Sequence, residues 1–392
     1  MTIMREIGAV TGMSLRSIPQ RAANSSVIVI GIAGVVGVLV AVLGLAMSLS
    51  ESVASTGHAD RAIVLRKGSN VEVSSVLNPD EALALMEKPG VKRDAKGDAL
   101  ATRDMIRGIN LVRKLDGAPA SLVIRGTALQ TFAMRPEIKL VAGRMFERGL
   151  RELIVGKGAQ SEFAGLGLGD TVMLGNGSWK VVGTFVSGDS FESSLLADVD
   201  VVISAYERPG PSSVTVLLES EAAYRTFADA VTTDPALQVD VTSERAYYAE
   251  QSQDMRGILN YIIYFVSGIM AVGALFAALN TMHSAVGARA MEIATLRAIG
   301  FGSTGVVVSV LTEALVLALL GALLGAGVAW IFFGGNRIAM EGGSGTAVFE
   351  LKITPLLIAI GVVSACVVGA LGGLFPAVRA ATGPVATALR SS

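Results

Sequence analysis

The sequence predicts an α-helical membrane frame of four transmembrane helices, with a large mixed α/β extracytoplasmic domain set between helices 1 and 2. Three observations carry that fold class. Four runs, Val27–Met47, Leu259–Leu279, Val306–Phe333 and Leu356–Phe375, are almost wholly apolar, and a helix needs about 20 such residues to cross the hydrocarbon core. Charge is unevenly spread: of the 32 Lys and Arg and 33 Asp and Glu, 51 lie between Glu51 and Arg256 and the flanks share the other 14. The third is the placement of cations at the span ends. Arg5, Arg16 and Arg21 precede the first run, Arg289 and Arg297 separate the second from the third, and Arg379 and Arg390 follow the fourth. An even number of spans puts these three segments on one side, which the positive-inside bias makes cytoplasmic.

Whole-chain composition agrees. The 392 residues are 52% hydrophobic and 17% charged, with mean hydropathy +0.58, against about a quarter charged in soluble domains. A net charge of −1 supplies no basic stripe to neutralise phosphates, so nucleic acid is not an expected partner. Cys366 is the sole cysteine and lies inside an apolar run, which excludes an intramolecular disulfide and any cysteine-based metal site. His58 and His283 are far apart without ligand-type neighbours, so no metal site is expected.

Taken in order, residues 1–26 form an N-terminal segment whose Ile3, Ile7, Val10, Met13 and Leu15 alternate with arginines, the spacing of an amphipathic helix on a membrane surface. Pro19 would end or kink it. The first span covers 27–49; its 21 uncharged residues from Val27 exceed a signal-peptide core and read as an anchor. The outer domain takes 50–256, the second span 257–282, a polar cytoplasmic stretch 283–303 and the third span 304–333. A short outer loop, 334–353, carries Arg337 and Lys352 against Glu341 and Glu350. The fourth span is 354–376, closed by Pro376, and 377–392 is a cytoplasmic tail. Gly321 and Gly325, and Gly369 and Gly373, are GxxxG pairs suited to close helix packing. Glu313 is the only acidic residue inside a span, and an intramembrane carboxylate is costly enough to be a functional candidate.

Within the outer domain, strands are predicted at Ala62–Leu65, Ser121–Arg125 and Glu152–Val155. Asn78 caps a helix with Pro79 at its first position, running to about Glu87. Thr171–Leu174, Gly175-Asn176-Gly177 and Trp179–Val186 read as a hairpin. Val214–Leu218, a helix over Glu221–Val231 and Leu237–Val241 read as a βαβ-like unit. Ser243–Arg256 is helical and feeds the second span. Glu51–Gln160 holds 18 basic and 13 acidic residues, Ser161–Arg256 5 and 15; two lobes of opposite sign and an ordinary solvated surface both fit. Asp189, Glu192, Asp198 and Asp200 form an acidic cluster in the sequence. No GxxxxGK[ST], GxSxG or HExxH occurs, so no phosphate loop for ATP and no hydrolase motif is present in this chain.

The polar stretch and the tail carry a resemblance. Glu292-Ile293-Ala294-Thr295-Leu296-Arg297-Ala298-Ile299-Gly300, with Glu313 some dozen residues later, is similar to the loop pattern of the permease family that includes the macrolide exporter MacB, the lipoprotein-release permeases, DevC and FtsX. Gly372-Gly373-Leu374-Phe375-Pro376-Ala377-Val378-Arg379-Ala380-Ala381, then Pro384, Leu389 and Arg390, resembles its tail. Ala294, Thr295 and Ala386 depart from the usual Gly, aliphatic and Glu. In the outer domain, Gly167-Leu168-Gly169-Asp170 and Trp179-Lys180-Val181-Val182-Gly183 are similar to the MacB-type domain. The resemblance implies a non-catalytic permease of a bacterial inner membrane that dimerises with a second copy or a paralogue. It implies two copies of a separate ABC ATPase, where ATP and Mg bind; Arg289, Glu292, Ile293, Leu296, Arg297, Ala298 and Gly300 would be its contact. An adaptor and an outer-membrane channel are implied for an exporter of amphipathic substrates. A lipoprotein-release permease and an FtsX-like regulator of cell-wall hydrolases are the alternatives.

Overall fold

The computed structural model describes residue 12 and residues 22–287, 290–298, 302–342 and 345–382; apart from residue 12 and the residues from 22 onward, the N-terminal amphipathic segment lies outside them. The chain divides into two compact units, one drawn from Met1–Met47, Gly257–Asn336 and Leu351–Ser392, the other from Ser48–Arg256 and Arg337–Glu350.

The second unit is the outer domain. After helix α1 (Ala22–Ala54) come β1 (Arg61–Arg66), α2 (Pro79–Met86), β2 (Ala101–Val112), β3 (Pro119–Thr127), α3 (Thr131–Met134), β4 (Lys139–Gly143), β5 (Glu152–Gly156) and α4 (Lys157–Glu162). Then follow β6 (Thr171–Leu174), β7 (Gly177–Val186), a 3-10 turn (Ser190–Ser193), β8 (Ser194–Asp198), α5 (Val199–Ala205), β9 (Ser213–Leu217), α6 (Ala223–Thr232) and β10 (Val239–Ser243). The strands form one sheet in the order β10-β1-β9-β2-β3-β8-β5-β7-β4, with β6 also on β7. The twelve-residue β2 joins two lobes: Ala101–Asp104 pair with β9, and Met105–Val112 pair with β3. Ala62, Val64, Leu85, Val216 and Phe227 fill the first lobe. Trp179, Phe163, Leu122 and Ile124 fill the second.

Local chemistry explains several elements. Asn78 caps α2 by accepting from the Asp80 N–H at 2.9 Å, with Pro79 at the first position where no donor is needed. The β6–β7 turn has Gly175 at φ +58°, the positive value its first central position demands, and Trp179 Nε1 donates to the Leu174 carbonyl at 3.1 Å.

Other expectations are corrected. β9, α6 and β10 are not a plain βαβ unit: β1 lies between β9 and β10, antiparallel to both. The division at residue 160 does not follow the lobes, because the first is assembled from both ends of the domain sequence. The acidic cluster disperses. Asp189 and Asp198 cap the turn and α5, while Asp200 pairs with Arg103 and Glu192 with Arg337. The 334–353 loop is largely an antiparallel hairpin, β11 (Arg337–Gly342) with β12 (Gly345–Glu350).

Among the described residues, the first unit holds four helices long and apolar enough to cross a membrane, within α1, α7 (Glu244–Gly287), α9 (Ser303–Phe333) and α10 (Pro355–Thr382). A short α8 (Ala290–Ala298) precedes α9. Buried residues of α9 recur every three to four positions from Gly305 to Ala329, one continuous packed face. The GxxxG glycines sit on it or against it. Gly321 abuts Val29 and Ile32 of α1, and a Cβ on Gly325 would collide with the Ala33 carbonyl oxygen. Gly369 and Gly373 lie against Ala318 and Ala314. These small residues therefore close contacts between helices of a single chain. Pro376 does not close the fourth span; α10 continues through it to Thr382. A proline inside an apolar membrane helix forfeits one backbone bond that other groups replace.

Candidate functional site

The outer domain contains a buried charge cluster where the exit of α1, the start of α7 and the sheet converge. Glu244, the first residue of α7, is fully buried. Its Oε1 accepts from Arg135 Nη2 in a very short contact, and its Oε2 accepts from Arg61 Nη1 at 3.3 Å and from the His58 N–H at 3.1 Å. Arg61 Nη1 also stands 2.8 Å from Glu137 Oε1. Arg61 is placed by β1, and Arg135 by the end of α3, where Pro136 forbids a further helical turn.

A second knot adjoins the first. Arg125 of β3 makes a two-pronged contact with Glu72, Nη2 to Oε2 at 2.9 Å and Nη1 to Oε1 at 3.1 Å, the fork geometry that arginine offers a carboxylate. Glu72 also accepts from Ser213 Oγ at 2.7 Å, and its own N–H donates to Tyr247 Oη, on α7, at 3.1 Å. Asp104 of β2 accepts from Thr127 Oγ1 at 2.6 Å and Thr215 Oγ1 at 3.2 Å. The Phe191 ring links the knots, with the Arg125 and Arg135 guanidinium carbons 4.6 and 4.3 Å from its centroid. Ser50 of α1 and Ser252 of α7 share a hydrogen bond of 2.6 Å beside them.

Burial opposes the charged forms of Glu72, Asp104, Arg125 and Arg135, and its balance with their partners decides each outcome. For Glu72, burial pushes the pKa up, but Arg125 and the Ser213 hydroxyl outweigh it and the carboxyl falls below its ordinary value. For Asp104, burial prevails over Arg125, reinforced by the Glu72 charge, and the pKa rises. Arg125 and Arg135 are held more firmly charged, their own burial being overcome by Glu72 and Glu244 respectively. Tyr247 and Tyr248 are raised by burial and stay neutral. The arrangement pins helix α7 to the sheet: removing one member of a buried pair leaves the other uncompensated, at about 3–5 kcal/mol.

The sequence-predicted site residues lie elsewhere. Arg289, Gly300, Pro384 and Arg390 are outside the described residues. Glu292 and Leu296 are on α8, with Ile293 and Arg297 half-buried and Ala298 exposed on the same helix. Glu313 is on the packed face of α9, 6% exposed, and Arg379 is exposed in the last turn of α10. Sequence reasoning missed the charge cluster. Its signal was present in charges embedded in strongly apolar strands, as in Thr102-Arg103-Asp104-Met105-Ile106 and Val123-Ile124-Arg125-Gly126.

Two family models match the chain. A MacB-like periplasmic core domain covers residues 22–234, and an FtsX-like permease C-terminal region covers 264–385. Among solved structures, the chain is similar to the periplasmic region of MacB from Actinobacillus actinomycetemcomitans, at 13% identity and TM-score 0.38, over 51% of this chain and 95% of that one. It is also similar to the extracellular domain of the noncanonic ABC-type transporter YknZ from Gram-positive bacteria, at 15% identity and TM-score 0.37, over 46% and 99%. No curated protein matches.

Proposed function

Because the chain belongs to the MacB/FtsX-like family of ABC permeases, we propose that it is the permease subunit of a MacB-type export system, driven by a separate ATPase. The observation that carries this is the core-domain match over residues 22–234 joined to the permease match over 264–385. The protein is a multi-pass membrane protein with an extracytoplasmic domain. In the proposed system its termini and α8 face the cytoplasm of a bacterial inner membrane. Two ATPase copies, which bind ATP and Mg, grip the segment around Glu292–Gly300, and a second permease copy or paralogue completes the dimer. Closure of the ATPase displaces the spans. Helix α7, continuous from Glu244 to Gly287, carries the displacement to the outer domain, because a packed helix moves as a unit. Amphipathic substrates are then expelled through an adaptor and an outer-membrane channel. Lipoprotein release and control of a cell-wall hydrolase are the competing roles.

Affinity purification of the full chain from crosslinked cells separates them. Recovery of an ATPase with an adaptor and an outer-membrane channel is expected. Recovery of a soluble lipoprotein carrier in place of both would refute export, as would unseparated cells with intact export on deletion.

A further inference from the structure

The 3-10 turn Ser190–Ser193 gives each of its four residues a different partner within the outer domain. Ser190 meets the exit of α1: its Oγ shares a 2.8 Å hydrogen bond with Thr56 Oγ1, and its N–H donates to the same oxygen at 3.2 Å. Phe191 lies against Arg125 and Arg135, which hold Glu72 and Glu244. Glu192 pairs with Arg337 of β11 at 3.3 Å while accepting the Ser187 and Gly188 N–H groups at 3.2 and 3.0 Å. Ser193 serves β12: its hydroxyl donates to the Val348 carbonyl at 3.0 Å and accepts the Val348 N–H at 2.7 Å. A single buried side chain thus replaces the neighbouring strand that β12 lacks on that edge. Val348 and Phe349 are buried there, and Gly158 leaves the space, since a Cβ on it would lie 2.9 Å from the Glu192 carbonyl oxygen and 3.3 Å from Val348.

The β11–β12 hairpin is covalently the link between the third and fourth spans. The turn therefore joins, in four residues, the exit of the first span, the hairpin of the third and fourth, and Arg135, which holds the head of the helix leading to the second. We infer that this hairpin is a second input arm, through which the third and fourth spans act on the root of the outer domain, and that Ser193 is the positioning residue that fastens it. Helix α8, the segment assigned to the ATPase, is followed directly in the chain by the third span, so the arm offers a route that bypasses α7. The inference rests on the ATPase-driven reading above.

The test uses the full chain with its ATPase in lipid nanodiscs, read by amide hydrogen exchange at Val348, Phe191 and Tyr247 with and without ATP. Without nucleotide, Ser193→Ala should expose the Val348 amide to about tenfold faster exchange, because a buried N–H loses its only side-chain acceptor, while Ser193→Thr should match the natural chain. With ATP, the change in exchange at Phe191 should be halved or more in Ser193→Ala and in the exposed variant Arg337→Ala and retained in Ser193→Thr, while Tyr247, on α7, responds in all three. A full ATP response at Phe191 in Ser193→Ala, with that response abolished by Arg297→Glu, overturns the second arm and leaves the permease reading standing. No ATP response in the natural chain, or a full one in Arg297→Glu, overturns both.

Discussion

Helix α9 packs Gly321 and Gly325 onto Val29, Ile32 and Ala33 of α1, with backbones close enough that a single added Cβ would strike a carbonyl. At the root of the outer domain, Glu244 is instead held between Arg61 and Arg135, and Arg125 grips Glu72. In the first region lipid is as apolar as the side chains, so shape and close approach must supply specificity. In the second, water surrounds the domain, and each buried ion depends on its partner, since removing one leaves the other uncompensated. Each unit is vulnerable in its own way: the spans to added volume, the root to lost charge.

Four substitutions sharpen or break that contrast. Glu244→Ala should have the largest effect, about 3–5 kcal/mol of local stability, because Arg61 and Arg135 lose their buried carboxylate and are left to share Glu137. Faster amide exchange along β1 and β10, with the spans unchanged, would report it. Gly325→Leu should cost about 1–3 kcal/mol or more by overpacking against backbone that cannot yield, seen as a lower melting temperature in detergent with the β1 amides unaffected. If each variant loosened both regions equally, the contrast would be wrong.

The third variant is Glu72→Gln, read against pH. The folded carboxyl lies below its ordinary value of 4.5, so its stabilisation is fully present above that value and is lost as the pH falls through the lowered folded pKa. Asp104 runs the other way: raised above 3.8, it contributes stability below that value that is lost as the pH rises through its folded pKa. The deficit of Glu72→Gln relative to the natural chain should therefore be greatest at neutral pH and shrink below pH 4.5. A deficit constant with pH would mean that Glu72 acts by shape alone. Smallest is Arg93→Ala, which removes the exposed pair with Glu87 at 2.6 Å and should shift stability by no more than about 0.5 kcal/mol.

Much of the frame was legible in the sequence, for physical reasons. The four spans announce themselves because nothing else needs 20 uncharged residues in a row. The α2 start and the β6–β7 turn were visible because Asn78-Pro79 and Gly175 act locally. Strand β2 was not seen: its alternating charges mask the pattern, and Asp104 is buried only because Arg125, Thr127 and Thr215 reach it from other strands. The hairpin after the third span hid for a related reason. It is completed by Ser193, more than 150 residues earlier in the chain, and no window of sequence contains both partners. Pro376 misled because the rule that proline ends helices holds in water, where the freed backbone groups are readily solvated, and less within an apolar bundle. The root cluster, the most specific part of the outer domain, joins residues from positions 50 to 252, and only folding assembles it.

We propose that ATP hydrolysis in another chain moves this one through the segment around Glu292 and Arg297. Reconstitution of the full chain with its ATPase, followed by ATP turnover for the natural chain and for Glu292→Lys and Arg297→Glu, tests it most directly. The permease should stimulate turnover, and both variants should abolish the stimulation while remaining in the membrane. Unchanged stimulation in both variants would contradict it.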